Sequence, residues 1–199
     1  MTRKHVVGAA AALLLVCAAW QLGEAAWIHV KARLAQHLLQ RAWTLTRAGQ
    51  VEVKPWPWAD TWPVARLRVP EHGVDLIVLA GVSGRTLAFG PGHAAESAAP
   101  GGEGTVIVTG HRDTHFRVLS RLQPGDGIVL ETPRRPPARY RVREAVVVDS
   151  RVAMIQNGDA SLVLLTCYPF DAVIPGGPLR YVVTAERVRS GPVTSAWSP

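Results

Sequence analysis

Residues 161–180 read SLVLLTCYPFDAVIPGGPLR, and the predicted fold is built outward from this segment. It opens with a short apolar run bounded by turn formers, which indicates a buried β-strand because a buried helix would be longer. Pro169 prevents a helix from continuing through the segment, so Cys167 is predicted to lie at the strand end. Arg180 stands at the start of the next apolar run. We therefore predict two neighbouring strand ends that hold a thiol and a guanidinium side by side.

A histidine is the missing partner of such a thiol. A free cysteine, with a pKa of about 8.5, is only a few per cent thiolate at neutral pH, so nucleophilic chemistry needs a nearby base. His111 follows an apolar run at residues 105–109 and Gly110, which permits a sharp exit from a strand. His115 competes for this role, but a helical turn predicted at residues 118–122 would draw it back against the protein. We favour His111 as the partner of Cys167.

Arg180 would supply what the thiol and the imidazole lack. Attack on an amide carbonyl builds an oxyanion, and a fixed guanidinium with several donors can stabilise it or hold the substrate carbonyl. The alternative is an ion pair between Arg180 and Asp171, which would make the arginine structural.

Composition and charge set the class of protein. The chain has 199 residues, 48% of them hydrophobic, with 18 glycines and 15 prolines, which favours one mostly β domain and a membrane segment. The net charge of +7 comes mainly from dispersed arginines, so nucleic acid is not an expected partner. The two cysteines, Cys17 and Cys167, lie in different predicted regions and are not expected to form a disulfide.

The N-terminal region is predicted to anchor the protein. Residues 6–22 carry no charge and as a helix would be about 25 Å long, enough to span a bilayer. Arg3 and Lys4 precede this run, so the N-terminus should stay in the cytoplasm while the rest is exported. The rival interpretation is a signal peptide cleaved at a poor site near residues 23–25; we favour a retained anchor.

The remaining chain is predicted to form a small barrel. Residues 24–49 have the spacing of an amphipathic helix, with an apolar stripe through Trp27, Val30, Leu34, Leu38, Ala42 and Leu45. Residues 54–63 should form a tryptophan-rich strap with its rings in the core and at the headgroup level. Short strands are predicted at residues 65–69, 74–79, 85–89, 105–109, 128–130, 139–148, 161–167 and 179–183. Such strands favour a closed β-barrel, with a long loop at residues 90–104 that leaves His93 in solvent.

Several motifs together resemble the sortases, the cysteine transpeptidases that cut and re-ligate sorting signals on exported proteins. They are TGHRDTHF at residues 109–116, LTCYPF at residues 165–170, and Arg180, supported by TLAFGPGH at residues 86–93 and LQPGD at residues 122–126. The resemblance extends over residues 56–188. Within the family, the chain is most similar to the small group from Gram-negative marine proteobacteria.

The resemblance implies an eight-stranded barrel in which His111, Cys167 and Arg180 are catalytic and Thr166 and Tyr168 bind substrate. Its substrate would be a protein with an LPXTG-like sorting signal, which Cys167 attacks to form a thioester that an amine acceptor resolves. No cofactor or metal is expected, because the acidic residues with which some sortases bind calcium have no obvious counterpart.

The resulting domain prediction is a membrane anchor at 1–23, an amphipathic helix and linker at 24–54, the barrel at 55–190 and a flexible tail at 191–199. We expect a monomer in the inner membrane, single-pass, with the catalytic domain facing the periplasm. Two alternatives stay open: a thiol peptidase that only hydrolyses, and a catalytically inert peptide-binding barrel.

Overall fold

The structure is a computed structural model that describes residues 3–152, 161–172, 174 and 176–188. In the first helix, α1 (Arg3–Arg47), the side chains described are those of residues 4, 5, 8, 13–24, 27 and 30–47. Within this described part, no helix is long and apolar enough to cross a membrane. The predicted anchor at 6–22 lies partly on side chains outside the described set, so it stays a prediction. The predicted tail at 191–199 lies outside the described residues altogether.

The predicted eight-stranded closed barrel is confirmed. Its strands are β1 (Pro63–Val69), β2 (Val74–Ala80), β3 (Gly92–His93), β4 (Thr105–Thr109), β5 (Gly127–Thr132), β6 (Arg135–Asp149), β7 (Ser161–Cys167) and β8 (Leu179–Arg187). Around the barrel they follow the order β1-β2-β3-β4-β7-β8-β6-β5. A short helix, α2 (Gly84–Leu87), and two 3-10 turns at Pro70–His72 and Arg117–Arg121 complete the elements. This order places β7 between β4 and β8, which positions the candidate site.

The strand predicted at residues 85–89 is wrong, because the chain forms α2 there. Ser83 caps this helix: its hydroxyl oxygen accepts a hydrogen bond from the Thr86 amide at 3.2 Å. The third strand is instead β3, inside the predicted long loop, where it pairs with β2 and β4. As a result His93 is buried rather than solvated, and its Nε2 lies 2.9 Å from the Ala98 carbonyl oxygen.

The chain divides into two compact units, residues 1–38 and 39–199. In the second unit, the last turns of α1 bury Leu39 and Trp43 against Ile77 and Leu79 of β2. The predicted apolar stripe is therefore only partly right. Ala42 is buried as expected, but Leu39 and Trp43, which are also buried, were not assigned to the stripe. Apolar residues lie on both flanks of this helix, so spacing alone does not show which flank meets a strand.

The tryptophan-rich strap also differs from its prediction. Trp58 is 82% exposed, whereas Trp56 packs edge-on against Phe89 with ring centroids 4.7 Å apart. The barrel core is built instead from aliphatic residues of the strands with Phe116, Leu119 and Tyr140. The prolines of the strap set its path, and successive rings consequently meet different surroundings.

Candidate active site

Cys167 ends β7, as predicted, and faces away from the barrel interior. Leu162, Leu164 and Thr166 are buried on the inner face of β7, so the alternation of a strand turns Cys167 outward, where it is partly exposed. Both Cys17 and Cys167 are free thiols. The predicted neighbour is also in place, because Cys167 pairs directly with Arg180 across the antiparallel β7 and β8. Paired residues share a face of the sheet, so the guanidinium starts beside the thiol.

His111 approaches Cys167 from the opposite flank. Parallel pairing of β4 with β7 sets Val108 beside Leu164 and Thr109 beside Leu165. The ladder continues one step further, because the Gly110 amide donates to the Leu165 carbonyl oxygen at 3.1 Å. Extending this register by one more residue puts His111 beside Cys167 on the outer face, and His111 is exposed. The three predicted catalytic residues therefore stand at three adjacent strand ends.

The turn into His111 requires a glycine. A Cβ at Gly110 would lie 2.8 Å from the Phe116 ring, closer than real side-chain contacts allow. The Phe116 amide in turn donates to the His111 carbonyl oxygen at 3.0 Å, so the chain folds back under the histidine. Phe116 is fully buried in the barrel core. Glycine at position 110 thus lets Phe116 pack closely beneath the turn, and this turn places His111 at the end of the barrel.

Thr166 occupies an unexpected role. It is 1% exposed, and its hydroxyl donates to the Gly110 carbonyl oxygen at 2.7 Å. Its side chain therefore has almost no surface to offer a substrate, and it instead ties β7 to the residue before His111. Tyr168, the other predicted substrate-binding residue, is partly exposed and its ring stacks on Tyr181 with centroids 6.2 Å apart. Its contact with substrate stays a prediction.

Arg180 is held by its own loop. Its Nη1 donates to the carbonyl oxygens of Gly177 and Leu179 at 2.7 and 2.9 Å. Among the described residues it forms no ion pair with Asp171, the structural alternative suggested by the sequence. Within the same part of the chain, its Nε and Nη2 make no hydrogen bond.

Arg112 was not predicted as a site residue. It is 7% exposed, and its guanidinium donates from Nη1 to the Pro169 carbonyl oxygen and from Nη2 to that of Ala172, both at 2.8 Å. These carbonyls belong to the loop that follows Cys167. No sequence pattern distinguishes this arginine from the many exposed ones, because its burial depends on where the loop after β7 returns.

His115 has a different environment from His111. Burial lowers the pKa of His115 below its ordinary value of 6.5, and the positive charge that His111 can carry lowers the pKa of His115 further. The neutral imidazole of His115 is therefore favoured. In the described part of the chain, no group of three or more His, Cys, Asp or Glu residues is arranged to hold a metal ion. The expectation that no metal takes part stays a prediction.

Comparison with known proteins identifies the family. Residues 67–188 match the model of the Sortase domain. Sortase D of Bacillus subtilis (strain 168) is 30% identical over 125 residues, which cover 61% of this chain and 62% of that protein, so the match spans less than two thirds of its length. The Gram-negative grouping predicted from the motifs stays a prediction.

Solved structures give the same assignment. Listeria monocytogenes sortase A is 26% identical with a TM-score of 0.56, covering 64% of this chain and 88% of that one. Actinomyces oris sortase C-1 is 28% identical with a TM-score of 0.52, covering 64% and 75%. With the domain match spanning more than half of the sequence, the chain belongs to the sortase family.

Proposed function

We propose that this protein is a cysteine transpeptidase that cleaves an LPXTG-like sorting signal and joins the released acyl group to an amine. The observation that carries the proposal is the strand register, which pairs Cys167 with Arg180 and, when continued two residues beyond the end of β4, sets His111 beside Cys167. A nucleophile, a proton carrier and a fixed cation in one place are the groups that acyl transfer needs.

In the first half-reaction, the sulfur of Cys167 attacks the peptide carbonyl carbon after its proton has passed to His111. A C–S bond forms, and the carbonyl oxygen takes up the electron pair as an oxyanion, which Arg180 stabilises. The oxyanion collapses, the C–N bond breaks, and the leaving amine takes the proton from the imidazolium of His111. The product is a thioester on Cys167.

In the second half-reaction, an amine acceptor attacks the thioester carbonyl and gives a proton to His111. The C–S bond breaks and its electron pair returns to sulfur, which regains the proton from His111. The new amide bond leaves with the product. Water can attack the same thioester, so the balance between ligation and hydrolysis depends on how well the acceptor amine is bound.

We also propose that residues 6–22 keep the protein in the inner membrane, with the barrel in the periplasm as a monomer. The support is the uncharged run behind Arg3 and Lys4. Fractionation of cells producing the full chain tests this: the intact protein is expected with the membranes and accessible to protease only from the periplasmic side. A soluble mature protein starting near Ala26 would contradict it.

The activity is tested by incubating the protein with an LPXTG peptide and an amine such as triglycine, and following both products by mass spectrometry. The parent is expected to form the ligated peptide, whereas Cys167→Ala forms neither ligated nor hydrolysed product. Cys167 is a partly exposed residue at a strand end, so Cys167→Ala should change the free energy of unfolding by less than about 1 kcal/mol. Ligation by a folded Cys167→Ala protein would refute the nucleophile assignment.

A further inference from the structure

We propose that Arg112 is a positioning residue of this site, which fixes the distance between the histidine segment and the loop after the nucleophile. The inference rests on the proposed function, because it concerns how His111 and Cys167 are kept in register. Arg112 directly follows His111 in the chain, and both of its carbonyl acceptors lie within five residues after Cys167.

The guanidinium of Arg112 is buried, although it carries a positive charge. Desolvating a cation is costly unless its donors are satisfied. Here the two shortest bonds, at 2.8 Å, go to neutral carbonyl oxygens, while the carboxylate of Asp113 lies 3.3 Å from Nε and belongs to a side chain that is 68% exposed. Arg112 is therefore better described as a clasp on backbone carbonyls than as half of an ion pair.

The two carbonyl acceptors show that Arg112 holds the turn after Cys167. Pro169 and Ala172 bracket a turn in which the Ala172 amide points to the Pro169 carbonyl oxygen at 3.5 Å, a long and weak contact. Phe170, inside this turn, packs edge-on against Tyr181 with ring centroids 5.1 Å apart. Arg112 adds two short hydrogen bonds that hold the backbone at both ends of the turn. Arg112, which carries this guanidinium, directly follows His111 in the sequence.

The clasp complements the bond on the strand side. Thr166 ties β7 to Gly110, the residue before His111, and Arg112 ties the residue after His111 to the loop beyond Cys167. His111 thus has one link to the Cys167 segment before it and one link after it. A planar fork with two donors directed at two carbonyls is required for the second link, and a lysine ammonium cannot reproduce that geometry.

The first test compares Arg112→Lys with Arg121→Lys, a matched change at an exposed arginine of the same chain segment. For ligation of an LPXTG peptide to triglycine, Arg112→Lys is expected to lower kcat on the order of 10- to 100-fold, with KM changed by less than about twofold. Arg121→Lys should leave both constants near the parent values. An Arg112→Lys protein with the parent kcat would overturn the proposal, as would a loss confined to KM.

The second test needs no peptide substrate, so it separates this inference from the proposed function. The alkylation rate of Cys167 by iodoacetamide is measured across pH with and without His111→Ala, in the parent and in Arg112→Lys. If Arg112 positions His111, removal of the imidazole should change the rate in the parent much more than in Arg112→Lys. An equal effect of His111→Ala in both backgrounds would overturn the inference. A parent that alkylates in this coupled way but ligates no peptide would refute only the proposed function.

A measurement on the parent covers the case in which Arg112 variants fail to fold. In protein carrying ¹⁵N-arginine, the Nη protons of Arg112 should give separate NMR signals that exchange slowly with water, because the fork is buried and both amino groups are bonded. A single averaged, rapidly exchanging signal would show that the clasp does not exist and would overturn the proposal.

Discussion

The two flanks of Cys167 are built differently. On the β4 flank, buried side chains hold the residues before and after the exposed His111: the Thr166 hydroxyl donates to Gly110, and the Arg112 guanidinium donates to the loop after Cys167. On the β8 flank, Arg180 is partly exposed, and its Nη1 donates to the carbonyl oxygens of Gly177 and Leu179, which precede it closely in sequence. The difference indicates that the backbone around His111 is held by buried side-chain hydrogen bonds, whereas Arg180 bonds to carbonyl oxygens close to it in sequence. Substitutions on the β4 flank should therefore affect stability and rate together, and those on the β8 flank should affect rate alone.

The largest expected effect is on the β8 flank. If Arg180 stabilises the oxyanion, Arg180→Ala and Arg180→Lys should each lower kcat by about 10²–10³-fold, or roughly 2.7–4 kcal/mol of barrier. Because Arg180 is partly exposed, the free energy of unfolding should change by at most about 1 kcal/mol. Kinetics and urea unfolding of the same proteins test the contrast.

Asp171→Ala is the control for that prediction. Combined with Arg180→Ala, it should be no worse than Arg180→Ala alone, because the two side chains form no ion pair in the described structure. If Arg180→Lys ligated at the parent rate while Asp171→Ala and Arg180→Ala both lost stability, Arg180 would be structural, and the contrast between the flanks would collapse.

The next largest effect is expected from a substitution on the β4 flank, at Gly110. Gly110→Ala places a Cβ against the Phe116 ring, and such overpacking is expected to destabilise the protein by about 1–3 kcal/mol. His111 should shift with the displaced turn, so kcat should fall as well. Gly84→Ala is the matched control, because nothing lies within 4 Å of its Cβ position. Normal stability and kcat in Gly110→Ala would show that the turn can relax without moving the histidine.

The next effect comes from the buried hydroxyl of Thr166. Thr166→Val replaces the hydroxyl with a methyl group and leaves the buried Gly110 carbonyl oxygen without this donor, so the free energy of unfolding should fall by about 1–3 kcal/mol. The exposed Thr44 hydroxyl donates to the Gln40 carbonyl oxygen, and Thr44→Val should cost less than about 0.5 kcal/mol. Equal losses at the two sites, measured by urea unfolding, would show that burial gives the Thr166 bond no special weight.

The smallest effect concerns pH. The pKa of His115 in the folded protein is below its ordinary 6.5, so the unfolded chain binds this proton more readily than the folded one. The stabilisation is thus fully present above pH 6.5 and is lost as the pH falls through the folded pKa. Thermal unfolding across this range should show a smaller loss on acidification in His115→Asn than in the parent. Parallel curves for the two proteins would mean that His115 titrates normally.

Much of the barrel and of the site could be predicted from local patterns. The apolar run before Cys167 and the turn formers after it determined both the strand and its end, and the same logic placed His111 and Arg180. These predictions succeeded because strand ends are set by residues close in sequence. The motif resemblance then supplied the catalytic roles, which geometry alone leaves open.

Long-range burial could not be predicted in the same way. Arg112 and Thr166 are buried by contacts with partners more than fifty residues away in sequence. No local sequence pattern predicts that these two side chains are buried. Likewise, a serine cap converted the strand expected at residues 85–89 into α2, and strand pairing drew His93 into the interior. In each case a partner distant in sequence, or a single capping hydrogen bond, outweighed the local pattern.

In the proposed reaction, Cys167 carries the acyl group between donor and acceptor. Intact-protein mass spectrometry after brief mixing with an LPXTG peptide, without an amine, tests it most directly. The parent should gain a mass equal to the acyl fragment, mapped to Cys167 and released by hydroxylamine, whereas Cys167→Ala should gain none. An acyl adduct that persists on Cys167→Ala, or cleavage of the peptide by that variant, would contradict it.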